Sequence, residues 1–191
     1  MVSFGYEQNG TWRHFCGGAV ISDSTIVTAA HCFYGPKATP NLRQISEIRL
    51  GDQNLNDAVD DDNNYDIKKI VPHQDYMGWG PQYDLAIAHT TRQIQFNERI
   101  KPICIPTRNY DEANKYANDE VKFAGWGYYD AVNDFSNDLR ETIFKILPES
   151  ECFSNALYQK RIRYKDIIFC AGNEVVFTIK VTLTYVHSRS P

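Results

Sequence analysis

The stretch FCGGAVISDSTIVTAAHC, residues 15–32, joins a run of strand-forming residues to a histidine in an unusual setting. Residues 18–29 are rich in β-branched side chains, which favour β-strands. His31 follows at once, with alanines on one side and a cysteine on the other. This neighbourhood is unusual for a surface loop. We therefore expect His31 either to pack in a core or to take part in catalysis.

Short runs of the same kind recur along the chain, separated by segments rich in Gly, Pro, Asn and Asp such as FYGPKATPN (33–41) and DQNLNDAVDDDNN (52–64). Several short strands with turn residues between them are typical of an antiparallel barrel or sandwich. The sequence therefore predicts an all-β fold. The further runs are QISEIRL (44–50), YDIKKIV (65–71), YDLAIAH (83–89), EVKFAGWG (120–127), ETIFKIL (141–147) and KDIIFCAG (165–172).

The composition excludes several classes of function. The chain has 191 residues, of which 42% are hydrophobic and 23% charged, and its net charge is −4. With no stripe of Lys and Arg, nucleic acid and anionic membranes are not expected as partners. The most apolar stretch, residues 175–186, is shorter than the ~20 residues that span a bilayer and contains Lys180. We expect no cofactor, and residues 1–10 show no secretory signal.

The five cysteines are an odd number and include no C-x-x-C pair. A zinc site usually draws its ligands from closely spaced pairs, and His14 with Cys16 plus His31 with Cys32 imitates that pattern only loosely. Disulfides fit better and imply an oxidising compartment. One thiol is then left free or bonded outside the chain. The cysteines are Cys16, Cys32, Cys104, Cys152 and Cys170.

Two features mark the second half of the chain. The best helix candidate is ESECFSNALYQ (149–159), which follows Pro148 and has Ser150 as a candidate cap. The polar, proline-bearing segment 97–120 predicts a connection between two barrel halves, with a boundary near Cys104. The alternative is one long surface loop within a single sheet.

His31 and Asp84 form a candidate catalytic pair. A general base that works near neutral pH is most often histidine, and a buried carboxylate can fix its tautomer. Asp84 lies just before an apolar alternating run, where its carboxylate would need a partner. Each residue also has a structural interpretation, His31 as a satisfied core histidine and Asp84 as a turn former.

Five motifs together resemble the trypsin-like serine endopeptidases of the chymotrypsin family: FCGGAVISDSTIVTAAHC, YDLAIAH, IKPICIP, VKFAGWG and IIFCAG, in that order. The resemblance implies two antiparallel β-barrels. The first, at about residues 1–100, is nearly complete, and the second, at about 105–174, is incomplete. Residues 175–191 form an unmatched tail. The resemblance also implies that His31 is the general base and that Asp84 orients it.

The same resemblance assigns the cysteines. It implies one disulfide between Cys16 and Cys32 beside the histidine and a second between Cys152 and Cys170. Cys104 matches the cysteine that ties the catalytic chain to a propeptide or an upstream domain in many members of the family. The intact protein is then expected to be secreted and to act on a protein or peptide substrate.

The sequence departs from the family at the nucleophile. The family's Gly-Asp-Ser-Gly-Gly stretch does not occur, and no serine of this chain has a glycine beside it. Met1 corresponds to a position inside the family's domain, so we expect truncation at both ends. We therefore predict that the chain as written has no appreciable protease activity. The alternative is a non-catalytic homologue that acts as a binding or regulatory module.

Two weaker sites complete the predictions. Asn9, Gly10 and Thr11 form a glycosylation sequon, and Asn-Gly is also a favoured hairpin turn. Asp52, Asp60 and Asp62 could supply oxygen ligands to calcium, because some trypsin-like enzymes bind calcium in this region. A solvated acidic loop is the alternative to the calcium site.

Overall fold

Six antiparallel strands close into a barrel in the first half of the chain. The computed structural model describes residues 1–35, 47–57, 63–78, 80, 82–105, 117–128, 135–152 and 170–172. The strands of the barrel are β1 (Val2–Gln8), β2 (Thr11–Ser22), β3 (Thr25–Thr28), β4 (Glu47–Leu50), β5 (Asn64–Pro72) and β6 (Ala86–Thr90). Their order around the barrel is β1-β2-β3-β6-β5-β4, and pairing of β1 with β4 closes it.

The first hairpin follows from its turn residues. Asn9 and Gly10 both have positive φ, 55° and 73°, which is the conformation that a two-residue type I′ turn requires. The turn sets the register in which Gln8 faces Thr11. The predicted Asn-Gly turn is therefore confirmed.

Alternate residues of the strands fill the barrel. Val2, Phe4, Ile26 and Ile48 have no exposed surface. Phe33, just after His31, contacts the ring of Phe4 edge-to-face with centroids 5.2 Å apart. The chain beside His31 is thus fixed to the barrel core.

A second, smaller sheet lies in the other half of the chain. It consists of β7 (Glu120–Tyr128), β8 (Phe135–Ile146) and β9 (Ala171–Gly172), in that order, within the described residues. With the closed barrel, this confirms an all-β fold with a partial second unit. The division into domains at about residues 100 and 105 stays a prediction. The tail at residues 175–191 lies outside the described residues.

The predicted helix after Pro148 begins at the expected residue. α1 covers Glu149–Cys152, so Ser150 is its second residue and the prediction that Ser150 caps it is wrong. The carbonyl of Pro148 accepts hydrogen bonds from the backbone of Glu151 and Cys152, each at 3.0 Å. The rest of the predicted helix lies outside the described residues.

The two sheets are joined along the segment that follows β4. The backbone N–H of Leu55 donates to Asn137 O at 3.0 Å, and that of Leu139 donates to Gln53 O at 2.6 Å. The indole N–H of Trp126 in β7 also donates to Gln53 O, at 3.4 Å. Among the described residues, no helix is long and apolar enough to span a membrane.

Candidate active site

His31 lies in a short 3-10 turn, Ala30–Cys32, that follows the end of β3. The turn is held by hydrogen bonds from Phe33 N and Tyr34 N to Ala30 O, at 3.1 and 2.9 Å. Ala30 is completely buried, so the backbone packs directly against the barrel. The side chain of His31 is 51% exposed and is therefore accessible from solvent.

The register of two strands brings Asp84 to this turn. β3 pairs antiparallel with β6, and Thr28 faces Ala86. Continuing the register by two residues places Asp84 opposite Ala30, next to His31. The backbone reverses at Tyr83, whose φ is 52°, and Leu85 N donates to Tyr83 O at 2.7 Å. Two residues that are far apart in sequence thus become neighbours.

The carboxylate of Asp84 contacts His31 at two points. Oδ1 accepts a hydrogen bond from the backbone N–H of His31 at 2.8 Å, and Oδ2 lies 2.8 Å from Nδ1 of the imidazole. The Asp84 side chain is only 2% exposed. An ionised carboxylate can only accept, so Nδ1 carries the hydrogen, and in the neutral imidazole Nε2 then keeps a lone pair. This is the protonation state that a general base needs.

A disulfide anchors the turn on its other side. Cys16 of β2 is bonded to Cys32, with Cα atoms 6.2 Å apart. The bond closes a 16-residue separation, and loop entropy suggests a stabilisation of about 3 kcal/mol. The structure also contains the bond between Cys152 and Cys170, and Cys104 is a free, exposed thiol.

A tyrosine and a close backbone contact border the pair. The pKa of Tyr76 is raised by burial and, to a smaller extent, by the negative charge of Asp84. Gly35, whose φ is 100°, packs so closely on Gly78 that a Cβ at Gly35 would overlap the Gly78 carbonyl oxygen. The segment that contains Tyr76 and Gly78 is therefore held against the chain just after His31.

No sequence motif indicated a second histidine cluster, which lies inside the β1-β2 hairpin. The indole N–H of Trp12 donates to Oγ of the fully buried Ser3 at 2.9 Å. The Ser3 hydroxyl in turn lies 2.8 Å from Nδ1 of His14. Burial lowers the pKa of His14 to about 4, so the ring is neutral at neutral pH. The Asn-Gly turn predicts that His14 faces Gly5, but the register shift between Phe4 and Gly5 that follows cannot be read from the sequence.

The residues that loosely imitate a zinc-ligand pattern, for which no metal is predicted, are only partly brought together. Cys16, His31 and Cys32 offer donor atoms within 4.8 Å of one another, and His14 is not in that group. Of the calcium candidates, Asp52 is partly buried, whereas Asp60 and Asp62 lie outside the described residues. Asn9 is exposed in its turn, and its glycosylation stays a prediction.

The fold and the pair define a class: a β-barrel that presents a solvent-accessible imidazole oriented by a buried carboxylate. Comparison with known proteins gives the family. The trypsin family model matches residues 1–177. The chain therefore belongs to the trypsin family of serine proteases.

Individual relatives agree with this assignment. The CLIP domain-containing serine protease HP8 of Bombyx mori is 31% identical over 185 residues, which cover 90% of this chain and 48% of that protein. The clotting factor G beta subunit of Tachypleus tridentatus is 29% identical over 147 residues, 77% of this chain and 45% of that protein. The venom serine protease Bi-VSP of Bombus ignitus is 28% identical over 177 residues, with shares of 90% and 47%. The chain spans about half the length of these relatives.

Proposed function

We propose that this chain carries the base and the orienting carboxylate of a serine endopeptidase whose intact domain cleaves peptide bonds through an acyl-enzyme. His31 takes the proton of the attacking hydroxyl at Nε2. Asp84 holds the imidazole in the required tautomer and stabilises the imidazolium that forms. The two-point contact between Asp84 and His31, both distances being 2.8 Å, is the observation on which the proposal rests.

The proposal includes inactivity of the chain as written. None of its serines has a glycine on either side, so the sequence offers no match to the family's nucleophile. Loss of the nucleophile from such a triad costs on the order of a million-fold in turnover. Hydrolysis would require a serine supplied by residues beyond these 191.

The family also supports proposals about location and partners. The substrate would be a protein or peptide, and the intact protein would be secreted, as its two disulfides favour. Cys104 is free and exposed, so its thiol is available for a disulfide to a propeptide or an upstream domain.

The second candidate function is a non-catalytic binding or regulatory module, which the absent nucleophile favours. The burial of Asp84 argues for the enzyme. A buried carboxylate pays a desolvation penalty. A neutral Asn could accept from the His31 backbone N–H as well, whereas only the charged group stabilises an imidazolium.

A serine-directed fluorophosphonate probe tests the proposal. The chain as written should not be labelled. A longer product of the same gene, with a glycine-flanked serine after residue 173, should be labelled, and its peptidase activity should fall at least a thousandfold in the His31→Ala variant. The matched control is His73→Ala, a partly exposed histidine beside Asp75. Activity that survives in His31→Ala would show that His31 is not the base, whereas abundant secreted protein with no such extension would favour the regulatory module.

A further inference from the structure

Three potential metal ligands meet beside the barrel: His31 is exposed, Cys16 is half-buried and Cys32 is buried. The sulfurs of Cys16 and Cys32 and a ring nitrogen of His31 all lie within 4.8 Å of one another. The distance from His31 Nε2 to Cys32 Sγ is 3.9 Å. In the structure the two sulfurs are bonded to each other. A disulfide does not ligate zinc, because the ligand is the thiolate.

We propose that reduction of the Cys16–Cys32 bridge converts this group into a zinc site with Cys16, His31 and Cys32 as ligands. Two thiolates and one imidazole form a Cys₂His set, which leaves the fourth zinc position open to water. Zinc–sulfur and zinc–nitrogen bonds of about 2.3 and 2.0 Å separate tetrahedral donors by roughly 3.5–4 Å. The 3.9 Å between Nε2 and Cys32 Sγ already fits that spacing.

The partner of the other ring nitrogen prepares His31 for this role. Nδ1 lies 2.8 Å from the buried Oδ2 of Asp84. Zinc-ligating histidines almost always donate their second N–H to a carboxylate, a carbonyl or water, which fixes the ring and raises its basicity. Here the contact leaves Nε2 as the ligand atom. The 51% exposure of His31 gives zinc access from solvent.

The chemistry balances with a dithiol as reductant. Its two sulfurs attack in succession and end as a new disulfide, while Cys16 and Cys32 are each released as a thiol with one hydrogen. Zinc binding then releases the two thiol protons. Bound zinc would occupy the nitrogen that the proposed general base uses. The binding itself does not depend on that proposed function, so each can fail without the other.

The test uses the 191-residue chain with Cys104→Ser, so that the exposed thiol does not contribute. A trialkylphosphine, which takes up an oxygen from water as it cleaves each disulfide, reduces the protein, and Zn²⁺ is titrated against a competing chelator. We expect one zinc per chain after reduction and none before. His31→Ala should weaken the affinity at least about tenfold, and Asp84→Asn should weaken it by about tenfold.

Two controls separate this site from general thiol binding. His73→Ala should leave the zinc affinity unchanged, as should replacement of both Cys152 and Cys170 by Ser. A measurement that leaves all three ligands in place is the ¹⁵N spectrum of the reduced chain. Zinc should shift the Nε2 resonance of His31 and of no other histidine. The inference is overturned if reduced protein binds no zinc, if His31→Ala binds it equally well, or if the Cys152 and Cys170 variant loses it.

Discussion

Ser3 and His14 are joined by a hydrogen bond of 2.8 Å within the β1-β2 hairpin, between the Ser3 hydroxyl and Nδ1 of the imidazole. The oxygen of Ser3 also accepts from the indole N–H of Trp12, so the three side chains form one hydrogen-bonded chain. Burial favours the neutral form of the His14 ring. The His14 ring also contacts Trp126 of β7 edge-to-face, with centroids 5.5 Å apart, so it lies at the junction between the sheets.

This arrangement predicts a loss of stability in mild acid. The folded-state pKa of His14 is lowered from 6.5 to about 4 by burial, so between these values the unfolded chain binds a proton that the folded chain does not. The free energy of unfolding is therefore undiminished above pH 6.5 and falls as the pH drops toward 4. The loss amounts to about 3 kcal/mol. Urea unfolding of the chain and of His14→Gln between pH 7.5 and 4 measures it.

The control for the acid effect is a second histidine. His14→Gln should flatten the pH dependence of the unfolding free energy, whereas His73→Gln should leave the decline between pH 6.5 and 4 in place. Equal slopes in the original chain and in His14→Gln would show that another group titrates.

Replacement of Asp84 should switch the tautomer of His31. In Asp84→Asn the side-chain oxygen can still accept from the His31 backbone, but an amide N–H₂ replaces Oδ2 and can only donate. Nδ1 must then accept, and the hydrogen moves to Nε2. Two-dimensional ¹⁵N spectra of labelled histidine would show the exchange. An unchanged tautomer would mean that Oδ2 does not set it.

Asp84→Ala should be more destabilising than Asp84→Asn. Truncation leaves the His31 backbone N–H without its acceptor in a part-buried position, which costs about 1–3 kcal/mol. Asn retains that acceptor. Chemical denaturation at pH 7.5 compares the two variants. Equal unfolding free energies would show that the hydrogen bond to Oδ1 does not contribute to stability.

The side-chain bond between Asn54 and Asp138 should contribute a measurable part of the contact between the sheets. Asn54 Nδ2 donates to Asp138 Oδ1 at 2.6 Å, and the two residues also form a backbone bridge. A double-mutant cycle to alanine should give a coupling of about 0.5–1 kcal/mol, since the bond is charge-assisted but exposed. Lys122 and Glu141, 3.1 Å apart within one sheet, are the comparison pair. A coupling free energy of zero for Asn54 and Asp138 would mean that only the backbone hydrogen bonds join the two sheets here.

Alternation and turn residues predicted the barrel because its strands are buried on one face. β8 shows where that signal fails. It begins at Phe135, six residues before the predicted run at 141–147, because residues such as Asp138 and Arg140 are polar and give no apolar alternation. The pairing of Gly127 with Ser136 extends the strand nevertheless.

The pair of His31 and Asp84 shows a different limit. The residues are 53 positions apart, and their contact depends on the register of β3 with β6, which no local pattern specifies. The pairing of His31 with Asp84 was predicted from the family motifs. Ser3 and His14 had no such motif, and a register shift between Phe4 and Gly5 alters which residues face each other.

Gly35→Ala should destabilise the region beside His31 far more than an equivalent change elsewhere. At Gly35 φ is 100°, and an added Cβ would overlap the carbonyl oxygen of Gly78, a backbone atom that cannot rotate away. Gly10 is the matched control, because its φ is 73° but a Cβ there meets nothing within 4 Å. Gly10→Ala should cost about 1 kcal/mol from backbone strain, and Gly35→Ala about 3 kcal/mol or more. Urea denaturation measures both, and similar costs would mean that Gly35 and Gly78 can separate freely, so that their contact does not hold the segment that borders His31.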